Sequence, residues 1–254
     1  MKLNTKNPTY VILYAAVVSA LFTAAIMTLH ASTQHIVKRN EQLARMSALV
    51  SVFELAETPE PSDARIEELY NTHIRKVEGD LIDPESGVNF NHPTDPRLQT
   101  YQAYDTDPDA GGKLIGYAMP IWGIGFWARI DGILAVAPDM NKSLGAVFLA
   151  HQETPGLGGR ITEETFAEQF EGLDISPPTE ADQIIYITKS SPDEGESAYG
   201  RHVDAITGAT GTSTAVEAFV NTRIEQFRRA ARAKGLLKSA SSPDANAPDV
   251  EGGV

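Results

Sequence analysis

The chain has 254 residues, 42% of them apolar, which is enough to bury one sizeable core with appendages. Its formal net charge of -13 argues against nucleic acid as a partner, because a phosphate-binding surface needs clustered Lys and Arg. Cysteine is absent, which excludes disulfides, thiol nucleophiles and cysteine-ligated iron-sulfur clusters, so any redox chemistry has to come from an organic cofactor.

The first element is a run of 21 uncharged residues from Thr9 to Leu29, which as a helix would be roughly 31 Å long, about the thickness of a bilayer core. Asn7-Pro8 precedes it as a helix-start signal. The run is longer than the apolar region of a cleaved signal peptide and no A-x-A site follows, so a retained single-pass anchor in membrane lipid is expected. Lys2 and Lys6 lie before the span and Lys38, Arg39 and Arg45 after it, so charge bias alone leaves the orientation open. The polar groups within the span are hydroxyls, such as those of Tyr14, Ser19 and Thr23, and offer no ion path.

His30 to Leu55 reads as helix continuing from the span, with Ile36, Val37, Leu43, Met46 and Leu49 near a 3.6 period. Two prolines between Glu57 and Asp63 interrupt it, and Ala64 to Lys76 resumes the helical pattern. Between Glu78 and Asp109 eight acids face one base, Arg97, which reads as a solvated loop region without chemistry. Strand signals follow at Leu114 to Ile121, Ile133 to Val136, Leu144 to Ala150 and Ile184 to Thr188. Thr162 to Phe170 reads as a short helix capped by Thr162, and a last helix starts near Thr214 and ends in Arg228, Arg229, Arg232 and Lys234, cations suited to a helix C-terminus. The expected organisation is a cytoplasmic tail over residues 1–8, a transmembrane helix over 9–30, a helical linker over 31–60, one domain over 61–237 and a disordered tail over 238–254. Because helices and strands do not alternate strictly, the domain is expected to be α+β, with an antiparallel or mixed sheet.

The segment Val203 to Val216 places five hydroxyls, on Thr207, Thr210, Thr212, Ser213 and Thr214, within eight positions beside Gly208 and Gly211. A strand-to-helix turn with Thr214 as cap and Glu217 closing a capping box accounts for one or two of them. A helix start of this kind also offers free amides and a positive dipole end to a phosphate. Neither a P-loop nor a GxGxxG fingerprint is present. The six histidines show no HxxxH or HExxH spacing, so no metal site is expected from them.

Asp204-Ala-Ile-Thr-Gly-Ala-Thr210 resembles the D-x-x-[ST]-G-A-T flavinylation signature of the FMN-binding domain family. The resemblance implies covalent FMN on Thr210 through a phosphoester, made by a dedicated flavin transferase, with Asp204, Thr207, Gly208 and Ala209 as the recognition sequence. Gly211 departs from the family, where larger residues often follow the acceptor. His151 to Gly159 (HQETPGLGG) resembles the family's H-x-E-T-P-G-L-G segment and implies Glu153, Thr154, Leu157 and Gly158 as flavin contacts. Gly123-Ile-Gly-Phe-Trp127 resembles its G-x-G-L-W element, which would put Trp127 by the flavin ring; a place in the core is the other reading of that residue.

Within the family, the Pro120 to Gly159 region is similar to the C-type subunits of the sodium-translocating NADH:quinone oxidoreductases more than to the G-type subunits of the related ferredoxin:NAD oxidoreductase complexes. This implies an electron-carrying subunit of an inner-membrane sodium pump that passes electrons toward ubiquinone, with other membrane subunits as partners and the main domain on the periplasmic side. No residue is implied as catalytic on its own. The reading from another class is an anchored, non-catalytic module that binds flavin or a partner.

Overall fold

The computed structural model describes residues 8–57, 61–178 and 183–237. The chain divides into two compact units, Met1–Arg45 and Met46–Val254. The tail assigned to residues 238–254, and all but the last residue of the one assigned to 1–8, lie outside the described residues.

A single helix, α1, runs over Pro8–Val52. In the first unit its apolar window has a mean hydropathy of 2.2 and none of it is buried, so it is long and apolar enough to cross a membrane. The hydroxyls of Thr28 and Thr33 donate to the carbonyls of Ala24 and Leu29, so hydroxyl groups at this level of the helix are satisfied within it.

The second unit is α+β, as expected. Its five-stranded sheet has the order β1 (Ile74–Lys76), β2 (Tyr101–Tyr104), β3 (Leu114–Ile124), β4 (Arg129–Val136) and β5 (Ser143–Ala150), each strand antiparallel to its neighbour. Side chains alternate across the sheet with period 2, and both faces are covered. Met119, Ile121, Ile130, Leu134 and Val136 enter the larger core, shared with the helix α4 (Thr210–Ala233) through Val216, Val220, Ile224 and Phe227. Ala118, Ile133 and Ala135 face the other way, onto Leu49, Val52 and Phe53 at and just beyond the end of α1. That double burial explains why the Ile133 to Val136 stretch of β4 reads as an unbroken apolar run rather than an alternating one.

Several local expectations need correction. The helix α2 spans Asp63–His73 and stops before Lys76, because Ile74 turns extended and starts β1. Region 78–109 is not wholly a solvated loop: it supplies β2, the fully buried Leu81 and Phe90, and the buried Asp83. Asp83 receives both Nε and Nη2 of Arg229 at 2.9 Å, and these bonds hold its carboxyl well below the usual carboxylate range. The short helix foreseen over Thr162 to Phe170 is a 3-10 turn, Gly158–Thr162, then α3 over Glu164–Ala167 and a second 3-10 turn, Glu168–Phe170. Thr162 does not cap it; its hydroxyl donates back to Gly159.

The last helix begins at Thr210, four residues before Thr214, and Ala209 stands at the cap position with no side-chain cap bond. Glu217 forms no capping box, since its carboxylate accepts the backbone N–H of Ile187 instead. Asn221, one turn on, accepts from the N–H and donates to the C=O of Ile185, imitating a peptide group. These side chains bond the backbone beside the small parallel pair β6 (Tyr186–Thr188) and β7 (His202–Asp204). The basic end of α4 does more than complement the dipole: buried Arg228 donates to the carbonyls of Met140 and Ile175, and Lys234 to those of Glu78 and Asp80.

Candidate functional site

Three segments meet at the start of α4. The first is the turn from β7 into the helix. Ala209 N–H closes on Ile206 C=O at 3.0 Å, and Gly208 sits at φ 81°, a left-handed conformation that glycine adopts without strain. Ala209 is buried, which anchors the turn, whereas Asp204, Thr207, Gly208 and Thr210 are exposed. Thr210 is the first residue of α4, and among the described residues nothing hydrogen-bonds its hydroxyl.

The neighbouring hydroxyls are already engaged. Ser213, 1% exposed, accepts the N–H of Ile206 at 3.0 Å, and Thr212, 2% exposed, donates to Glu153 at 2.5 Å. Of the five hydroxyls in this segment, Thr207, Thr210 and Thr214 remain open to solvent.

The second segment is the loop 151–159 that follows β5. Glu153 is only 4% exposed, and its two oxygens accept from different elements, one from Trp127 N–H at 3.0 Å and the other from Thr212. A Cβ on Gly158 would overlap Thr212 Oγ1 and stand 2.7 Å from Glu153 Oε2, so this bond forms only because position 158 has no side chain. Thr154 C=O receives the N–H groups of Leu157 and Gly159, curling the loop so that Leu157 is exposed next to Gly208.

The third segment is the tip of the β3–β4 hairpin. Trp127 is held at two points, by its backbone bond to Glu153 and by its indole N–H to Thr154 Oγ1 at 3.1 Å, yet it is 67% exposed. The core alternative for Trp127 is thereby set aside. Phe126 stands perpendicular to it, ring centroids 5.1 Å apart, and is also exposed, as is Ile124. At the hairpin stem, Trp122 has the guanidinium of Arg223 4.0 Å from its ring centroid and that of Arg129 5.7 Å away.

The structure therefore gathers Thr210, Thr212, Glu153, Thr154, Leu157, Gly158 and Trp127 around one exposed apolar platform. Asp204 ends β7, where its backbone N–H donates to Gln169 and its carboxylate lies 3.8 Å from His202 Nδ1. Phe126 and Thr212 are the members that sequence reasoning missed. Thr212 lay among five similar hydroxyls, and Phe126 stood beside Trp127 in the Gly123 to Trp127 element without being singled out. Uncapped amides at the start of α4 and a flat apolar surface suit a phosphate joined to an aromatic ring. A cleft of about 980 Å³ lies near the opposite end of α4, and within its lining Gln99 bonds Asn91 and Lys234 bonds Asp80 C=O. Among the described residues no cluster of three or more His, Asp or Glu could hold a metal ion.

Comparison with known proteins falls on the same segments. Residues 125–225 match the FMN-binding domain family. The C-type subunit of the Na(+)-translocating NADH-quinone reductase of Pseudomonas aeruginosa is 33% identical over 121 residues, 48% of this chain and 44% of that protein. The G-type subunit of the proton-translocating ferredoxin:NAD(+) oxidoreductase complex of Clostridium ljungdahlii is 32% identical over 116 residues, 46% of this chain and 55% of that protein. The chain thus spans about half the length of these relatives. The crystal structure of Shewanella oneidensis NqrC shares the fold, with a TM-score of 0.58 and 19% identity over 77% of this chain and 99% of that one. Residues 125–225 accordingly resemble the FMN-binding domain family, in a chain whose matched half is similar to the C-type subunits of the Na(+)-translocating NADH-quinone reductases.

Proposed function

We propose that this chain is a membrane-anchored electron-carrying subunit whose FMN is joined to Thr210 by a phosphoester. The observation that carries the proposal is the sorting of hydroxyls at the start of α4: Thr210 is exposed and unbonded beside the platform of Phe126, Trp127 and Leu157, while Thr212 and Ser213 are buried in hydrogen bonds. A threonine hydroxyl is a weak nucleophile, and no side chain among the described residues hydrogen-bonds that of Thr210, so activation falls to a separate flavin transferase. Asp204, Thr207 and Gly208, held in place by the buried Ala209, present the exposed sequence that such an enzyme would read. The helix amides would face the phosphate, and Trp127 and Leu157 would bound the ring, with Thr154 and Glu153 fixing Trp127 in place.

When bound, FMN supplies reversible electron transfer, and the protein contributes the position and surroundings of the ring. By likeness to the C-type relatives, the partners are other subunits of a sodium-translocating NADH:quinone oxidoreductase of the inner membrane, with residues 9–30 as anchor, 31–60 as linker and 61–237 as a periplasmic domain. The similar identity to a G-type relative supports a second assignment, to a ferredoxin-linked complex. The two separate on the electron donor. In native membranes, the difference spectrum between wild type and Thr210→Ala should show flavin absorbance that NADH bleaches and quinone restores. Bleaching by reduced ferredoxin alone supports the second assignment, and no reversible bleaching by either overturns the electron-carrier reading.

A further inference from the structure

Gly211 is the second residue of α4, and its backbone is ordinary right-handed helix, so nothing in its conformation calls for glycine. Glycine is among the poorest residues for a helix. What excludes a side chain is Phe126: a Cβ at position 211 would lie 2.6 Å from Phe126 Cδ2 and 3.2 Å from Cε2. The ring is seated directly on the first turn of the helix, one residue from the Thr210 hydroxyl. It remains 63% exposed, and Trp127 beside it is fixed by two hydrogen bonds. Phenylalanine has no polar atom that would favour the water it faces, so an exposed ring held in one place marks a surface that awaits an apolar or aromatic partner.

We propose that Phe126 is a binding residue for the flat ring of the flavin carried on Thr210, and that Gly211 lacks a side chain in order to seat it. The proposal rests on the reading of Thr210 as acceptor. With Trp127 perpendicular to it, Phe126 forms one corner of a two-walled aromatic shelf, and the attached ring lies against that corner. Gly211 could instead serve close approach of the phosphate to the helix amides, in which case Phe126 would be irrelevant to its identity.

The test uses the full chain in detergent and has two arms. Without flavin, Gly211→Ala should lower the thermal unfolding midpoint, but in a Phe126→Ala background the same change should raise it, because the helix gains a better former once the ring is gone. Gly211→Ala that stabilises both backgrounds, or neither, overturns the seat. With flavin attached by a co-produced transferase and occupancy checked by intact mass, Phe126→Ala should increase quenching of flavin fluorescence by iodide relative to wild type. Equal quenching at equal occupancy overturns the contact. A wild type that acquires no flavin overturns the acceptor reading, and this proposal with it.

Discussion

Glu153 is answered by two donors from distant parts of the chain and, among the described residues, by no cation. Its carboxylate ties the hairpin tip to the start of α4, so its removal should loosen the site from beneath. Glu153→Ala strands the Trp127 N–H and the Thr212 hydroxyl and should cost about 2 kcal/mol, which for a domain of this size lowers the unfolding midpoint by roughly 4–8 °C. Glu153→Gln, which keeps an acceptor and the shape, should lose less than half of that. An alanine variant that melts with the wild type contradicts the clamp. The sequence singled out Glu153 as part of a flavin-side segment, but not its burial, because a carboxylate in a Pro-Gly loop gives no sign of which donors the rest of the chain will bring to it. The same limit applied to the five hydroxyls: capping could not account for all of them, yet only the fold sorts Ser213 and Thr212 inward and Thr210 outward.

Long, strongly patterned elements were legible: α1, the strand starting at Leu114, β5 and the body of α4 all appear where periodicity put them. Those that were missed, β1, β2 and β7, are three or four residues long and hold their shape through neighbours rather than through their own pattern. Thr214 looked like a cap because it precedes an apolar run, but Thr212 and Ser213 bond to other segments and let the helix start at Thr210. The far end of α4 makes a pH-dependent prediction through Asp83 and Arg229. The folded-state pKa of Asp83 lies below its ordinary 3.8, so its stabilising contribution is complete above that pH and is lost as pH falls toward the folded value. Asp83→Asn should therefore be less stable than wild type at pH 7, with the gap in unfolding midpoint narrowing below about pH 4. A gap that stays constant down to pH 3 contradicts the assignment.

At the scale of the whole molecule, a helix long and apolar enough to cross a membrane follows from composition alone, since the run of 21 uncharged residues is near a bilayer's thickness. Sidedness does not, because basic residues flank both ends of the span. With the domain outside the cytoplasm, protease added to intact spheroplasts should digest the chain beyond Leu29, and protection until the membrane is broken would reverse the topology. The fold class was readable from the order of strand and helix signals, whereas the placing of the hairpin tip, the loop 151–159 and the start of α4 around one platform depended on strand register that no local pattern specifies. On the proposed reading, electron carriage by this chain depends on the Thr210 hydroxyl at that platform. Intact mass of the chain produced with a flavin transferase should exceed that of the bare polypeptide by one FMN less one water in the wild type, and by nothing in Thr210→Ala, with the variant still folded because α4 has no side-chain cap to lose. A Thr210→Ala chain that still carries the full increment would place the flavin on another residue and contradict the assignment of Thr210 as its acceptor.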